Sequence, residues 1–225
     1  SLIQMLNVVD DELVMEEKGI YSIEKFLMAR RLMYWQAYLH KTSLVAELML
    51  TKVLKRAKEL TQKGEQLPCS KPLQFFLSHK VELQEFDVHV LAQFASLDDF
   101  DIISALKEWQ SHSDFILSQL STMIINRDLL KIHVSNHKVS KQEIDDYQSQ
   151  VINIFGLSAT EATYFVYKGK IKNQAYNKEG EPIRILKKDK TIEDVVETSD
   201  QFNSKALLQM VTKYYICFPK VLAEK

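Results

Sequence analysis

Apolar and polar residues recur along the chain with two different periods, and the change of period divides it into segments. Val8, Val9, Leu13, Val14 and Met15 flank the polar pair Asp10-Asp11, so residues 2–16 read as a short extended hairpin. Gly19 breaks the pattern. From Ser22, an N-cap candidate with Glu24 in the first turn, apolar residues recur at threes and fours: Ile23, Phe26, Leu27, Met33, Ala37, Leu44, Leu48, Val53, Leu54, Ala57 and Leu60. No Gly or Pro interrupts before Gly64, so the spacing predicts one helix of about forty residues, ~60 Å long. Gly64 to Pro72 is a polar linker, and shorter helices are expected over 72–79, 84–94, 98–110 and 113–126. The third of these has Ser96-Leu97-Asp98-Asp99 as cap and acidic first turn.

After Arg127 strands enter the pattern. Leu129 to Val134 reads as a strand, Ser140 to Phe155 as a helix ended by Gly156, and Ala162 to Lys172 as a strand. A turn at Asn177-Lys178-Glu179-Gly180 leads to a strand at Ile183 to Leu186, a helix near Asn203 to Val211 and a strand at Tyr214 to Phe218. The fold class is therefore α+β: a long-helix, all-α layer over residues 1–127, then a ferredoxin-like βαββαβ domain over 128–225. In that arrangement two helices cover one face of a four-stranded antiparallel sheet.

Composition narrows the function classes. The 225 residues carry 29 Lys and Arg against 30 Asp and Glu, with 46% hydrophobic and 26% charged residues. That is a globular composition, and its near-neutral balance argues against whole-surface nucleic-acid binding. Cys69 and Cys217 are too few for a disulfide scaffold and form no CxxC pair, so a reduced, cytoplasmic setting is expected. The amino terminus has no basic leader, and no apolar run approaches the ~18 residues of a membrane span. The chain begins with Ser and runs directly into apolar alternation, as a piece of a longer protein would.

The usual catalytic devices are missing: there is no GxGxxG, GxxxxGK[ST], GxSxG or HExxH. Of the six histidines, His133 and His137 are four apart but straddle a strand and a loop, and no catalytic residue or metal ligand is assigned in this chain. The most informative stretch is Ala29 to Lys41. On a continuous helix Arg30, Tyr34, Tyr38 and Lys41 fall on one ridge, presenting two cations and two aromatic hydroxyls. Arg offers a forked donor set for phosphate, and Tyr a flat face for a sugar or base. The plainer alternative is that the tyrosines pack and the cations are solvated. Residues Val166 to Lys190 hold eight cations against three acids, which suits either lysine-protected strand edges or phosphate contact. RNA binding ranks low, because no paired exposed aromatics accompany them.

The run Val14-Met15-Glu16-Glu17-Lys18-Gly19-Ile20-Tyr21-Ser22-Ile23-Glu24-Lys25-Phe26, continuing to Tyr38-Leu39-His40-Lys41, resembles HD-superfamily phosphohydrolases. These include bacterial dGTP triphosphohydrolases and the SAM-and-HD-domain dNTPase. The likeness continues at Leu97-Asp98-Asp99, Asn126-Arg127-Asp128-Leu129-Leu130-Lys131, Pro182-Ile183-Arg184-Ile185-Leu186 and Tyr214-Tyr215-Ile216-Cys217, so it covers nearly the whole chain. It implies that Arg30 meets a substrate triphosphate and Tyr38 a deoxyribose, with Tyr34 where a relative has histidine. It also implies that Lys18, His40, Lys41, Arg184 and Lys187 bind a regulatory nucleotide between subunits of a homo-oligomer. Such enzymes hold a divalent metal (Mn, Mg, Fe or Zn) through His, a His-Asp pair and a later Asp. Here the six histidines are followed by Lys, Lys, Val, Ser, Val and Lys. The resemblance thus implies the carboxyl-terminal portion of such a hydrolase, with its metal in the full-length parent and none in this chain, which alone is inactive. A non-catalytic oligomerisation or regulatory-nucleotide module is the alternative.

Overall fold

The computed structural model describes residues 2–173, 176–177, 180, 182–199 and 210–223, the side chains of Trp35 and Tyr38 excepted. In chain order its first half comprises β1 (Leu6–Val9), β2 (Glu12–Glu16), α1 (Ile20–Met33), α2 (Lys41–Gln62), α3 (Lys71–Ser78), α4 (Val88–Ala95), α5 (Asp99–Trp109) and α6 (Phe115–Ile125). There follow β3 (Lys131–Ser135), α7 (Lys141–Phe155), α8 (Ala159–Ala162), β4 (Tyr167–Asn173), β5 (Arg184–Leu186), β6 (Ile192–Asp194), α9 (Val195–Thr198) and β7 (Val211–Phe218). The architecture is α+β: an amino-terminal hairpin, then helices, then a strand-rich region. Two compact units are present: Ser1–His40, Ser135–His137 and Lys170–Tyr214 form the first, and Lys41–Val134, Lys138–Gly169 and Tyr215–Lys225 the second.

The expected hairpin is β1 and β2, paired from Leu6↔Met15 to Val9↔Glu12. Asp10 and Asp11 between them both take left-handed φ, 51° and 63°, which aspartate tolerates better than most residues and which matches a two-residue turn to strand twist. β2 then pairs in parallel with β5, and β5 antiparallel with β6, giving the order β1-β2-β5-β6. Met15, Ile20, Ile23, Leu27, Ile185 and Val195 close a small core beneath this sheet, with the Tyr176 ring among them. Tyr176 is anchored at its hydroxyl, which donates to Asp194 and accepts from the Ile183 amide.

The second unit rests on α2. Leu44, Val45, Met49, Val53, Ala57 and Leu60 are its buried residues, a stripe at helical spacing. That stripe packs on α6 and α3, and α6 packs on α5. Trp109 is fully buried and donates its Nε1 proton to the Pro68 carbonyl at 3.0 Å. Side-chain oxygens of Ser70, Asp87, Asp98, Asp114, Ser140 and Ser158 each accept from an amide of the first helical turn behind them, satisfying donors that a helix start leaves unpaired.

Three features differ from the expected pattern. The helix of about forty residues is interrupted: α1 passes into a π-helical turn over Tyr34–Tyr38, and Leu39 leaves the helical region at φ −98°, ψ 15° before α2 begins. The strand expected from Ala162 starts at Tyr167, since Ser158 caps the short α8 and Thr163 and Tyr164 extend it with turn-type bonds. The strands expected to make one ferredoxin-like sheet are shared between two: β3, β7 and β4 form a sheet in that order, whereas β5 adds to the amino-terminal hairpin. Strand period fixes which residues alternate, not which partner a strand takes, and β5 finds its hydrophobic partner in Met15. The helix expected at 203–211 falls mostly on residues outside those described.

Candidate functional site

In the first unit, Arg30 lies in the last turn of α1 and Tyr34 opens the π-helical turn. The Arg30 guanidinium carbon sits 5.1 Å from the centre of the Tyr34 ring, and its Nη2 is 3.5 Å from the Tyr34 hydroxyl. The pair therefore stacks at an exposed helix end. In the π-helical turn, the Leu39 amide donates to the Tyr34 carbonyl at 2.7 Å, an i to i−5 bond that widens the turn by one residue. The spacing that aligned Tyr38 and Lys41 with Arg30 holds for an unbroken α-helix. The Tyr38 side chain lies outside those described, and Lys41 opens α2, in the other unit.

The same unit brings Lys18 and Lys187 together across 169 positions of sequence. The parallel register places Glu16 opposite Leu186, so the residues just beyond each strand meet. Glu16, Glu17, Lys18, Leu186, Lys187 and Lys188 line an open hollow of about 250 Å³. Its cations are largely balanced: Lys18 pairs with Glu16 at 2.6 Å and Lys187 with Glu193 at 3.0 Å, while Glu17 accepts from the Lys188 amide. The hydrogen bond to Glu193 raises the Lys187 pKa above the ordinary lysine value. Arg184, on β5, is paired with Glu12 of β2.

In the second unit, Lys41 shares a hollow of about 280 Å³ with Thr42 and Val45, with Arg127 and the residues Leu129 to Ile132, and with Lys220. Three separate segments thus converge: the first turn of α2, the link between α6 and β3, and the turn after β7. Arg127 takes a left-handed φ of 58°, which reverses the chain immediately after α6. The four cations Lys41, Arg127, Lys131 and Lys220 lie here, and the carboxylate of Asp128 accepts from Lys220 Nζ at 2.8 Å. The amino end of the 22-residue α2 adds the positive pole of its dipole. An anion of phosphate size matches this arrangement in charge. The resemblance had picked out Lys41 but had given Arg127 and Lys131 no role; their signal was the Arg-Asp-Leu-Leu-Lys run itself. Lys220 had none.

The second unit also holds ionic groups whose job is architectural. Arg56 donates from Nε and Nη2 to both oxygens of Asp114, at 3.1 and 2.5 Å, with only 12% and 16% of the two side chains exposed. Burial raises the Asp114 pKa, but the bonds from Arg56 and the Leu117 amide outweigh it and hold the carboxyl below its usual value. Lys52 lies over the rings of Tyr167 and Tyr164, at 4.6 and 5.6 Å, and donates to the Thr163 carbonyl. Burial pushes its pKa down, and burial pushes the nearby Cys217 thiol up to about 12. A thiol held protonated in this way is a poor nucleophile. Among the described residues no group of three or more His, Cys, Asp and Glu could hold a metal ion, and no helix is long and apolar enough to cross a membrane.

Residues 1–67, which include the Arg30 ridge, Lys18, His40 and Lys41, match the family described as the HD associated region. The chain is 45% identical to a solved phosphohydrolase of Bacteroides thetaiotaomicron, with a TM-score of 0.84, over 96% of this chain and 54% of that one. It is 32% identical over 130 residues to Uncharacterized protein YwfO of Bacillus subtilis, covering 58% of this chain and 28% of that protein. Against the MG461 homolog of Mycoplasma pneumoniae the identity is 27% over 180 residues, covering 75% and 41%. A hypothetical protein from Aquifex aeolicus shares the fold at 18% identity, with a TM-score of 0.57 over 98% of this chain and 48% of that one. The chain thus spans 28% and 41% of the curated relatives and about half of each solved structure. The family match thus rests on residues 1–67, and the likeness to the solved phosphohydrolase on nearly the whole chain.

Proposed function

We propose that this chain forms part of a metal-dependent phosphohydrolase that cleaves (deoxy)nucleoside triphosphates or related phosphoesters, and that it is inactive alone. The observation that carries this reading is its 45% identity, over 96% of its length, with a solved phosphohydrolase. Arg30 meets the triphosphate through its exposed guanidinium, Tyr34 holds that guanidinium by stacking, and Tyr38 lies against the sugar. Among the described residues no group of three or more His, Cys, Asp and Glu could hold a metal ion, and in this reading the metal ligands belong to further sequence of the parent. A manganese-supplemented hydrolysis assay on a nucleotide panel tests this. The chain alone should release no phosphate, and a longer polypeptide carrying a His…His-Asp…Asp pattern before it should; activity of the isolated chain, or inertness of the longer one, contradicts the reading.

A regulatory reading is favoured by a separate observation, the four cations converging on the Lys41 hollow. In it an anionic nucleotide effector binds there, between subunits of a homo-oligomer. Calorimetric titration with nucleoside triphosphates, comparing the native chain with Lys131→Ala, checks it: loss of binding supports an effector at this hollow, and unchanged binding removes it.

A further inference from the structure

The segment from Val81 to Leu106 lies in the second unit. It contains six acids, Glu82, Glu85, Asp87, Asp98, Asp99 and Asp101, and no Lys or Arg; of the lysines flanking it, Lys80 and Lys107, the first pairs with Glu82 at 2.6 Å. Within it α4 is almost wholly apolar, yet Val90 alone among its residues is buried. Val88, Leu91 and Phe94, at three-residue spacing along one side of the helix, are 82%, 50% and 59% exposed. Leu83, in the turn just before, is 92% exposed, and the Phe86 ring stands 6.5 Å from that of Phe94, joining the turn to the helix.

Capping accounts for several of the acids: Asp87 caps α4, and Asp98 with Asp101 forms a capping box on α5. Capping does not account for the missing cations, nor for large apolar side chains left in water on a helix without a single charged residue. Apolar stripes of this kind, rimmed by charge, mark interaction sites. The sign of the rim selects the occupant. A second copy packed face to face would set acid against acid, because an isologous contact presents the same patch twice. A partner with the opposite rim gains both the apolar contact and the charge complement.

We propose that the acid-rimmed apolar face of α4 and its preceding turn docks an amphipathic helix flanked by lysine or arginine, supplied by a partner protein. The assignment is independent of the phosphohydrolase reading. The probe is a synthetic amphipathic helical peptide of leucine and lysine, titrated by fluorescence anisotropy against the full chain, with a leucine–glutamate peptide of the same pattern as control. Saturable binding of the lysine peptide and none of the control is expected. V88E and L83E, at the two most exposed positions, should each weaken it by about tenfold or more, although both variants add negative charge. E82K should weaken it too, and more at low salt than at high. Binding that V88E and L83E leave unchanged or strengthen would show charge attraction without the apolar face and overturn the proposal. Equal binding of the control peptide, or a wild-type dimer in sedimentation that V88E turns into monomer, would overturn it as well, the latter in favour of a second copy.

Discussion

The two lysine-bearing hollows, one in each unit, differ in what neutralises them. The hollow at Lys18 and Lys187 is built by the parallel pairing of β2 and β5, and the same pairing delivers Glu16, Glu17 and Glu193 to its cations. The hollow at Lys41 is built by three segments that converge without strand pairing, and among the described residues its ion pair is Lys220–Asp128. Acids beside a cation cancel the positive potential that would draw in an anion, even though each exposed ion pair is itself worth only ~0–1 kcal/mol. Counting lysines is therefore a poor guide; what matters is whether the fold brings the counter-charge with them.

The surroundings differ in the same sense. The first unit has a small core under one sheet. The second buries Met49, Val53, Leu106, Trp109, Leu117 and Leu120 completely or nearly so, and holds its Lys41 hollow on that frame.

The largest predicted effect strikes the frame itself. Arg56→Ala leaves the partly buried Asp114 carboxylate with the Leu117 amide but without its cation, and should lower stability by about 3 kcal/mol in denaturant unfolding. The carboxyl of Asp114 has a lower pKa folded than unfolded, so its contribution is complete above the unfolded value of about 4 and is lost as pH falls through the folded one. Asp114→Asn should accordingly flatten the acid limb of a stability profile. Next comes the contrast between hollows. Lys131→Ala should weaken pyrophosphate binding by about 1.5–3 kcal/mol, as removal of a charged hydrogen bond does, whereas Lys187→Ala should leave it unaltered. Equal losses in calorimetry would erase the distinction drawn between them. The smallest effect is a control within the second unit: Gly156, at φ 67°, ends α7, and Gly156→Ala should cost about 1 kcal/mol without touching either hollow.

Local signals were legible in the sequence. Asp10-Asp11 announced the hairpin, Ser140 and Gly156 bracketed α7, and Asp98 with Asp99 marked the start of α5. The break at Leu39 was not, because no Gly or Pro stands between Gly19 and Gly64 and the apolar spacing runs straight through. The partner of β5 was equally hidden: three residues, Arg184-Ile185-Leu186, alternate the same way whichever strand they join. For the same reason the meeting of Lys18 with Lys187 came only from resemblance, and the place of Lys220 beside Arg127 and Lys131 from neither route. Arg30 and Tyr34 were legible because one turn of helix sets their spacing, and they do stack.

The phosphohydrolase account turns on the exposed guanidinium of Arg30. The most direct test is phosphate release from nucleoside triphosphates, with manganese, by the longer polypeptide of which this chain is proposed to form part, compared with its Arg30→Ala variant at equal stability. The account predicts measurable release that the substitution lowers by about tenfold or more. Undiminished release by the variant, or none from the parent on any nucleotide, would contradict it.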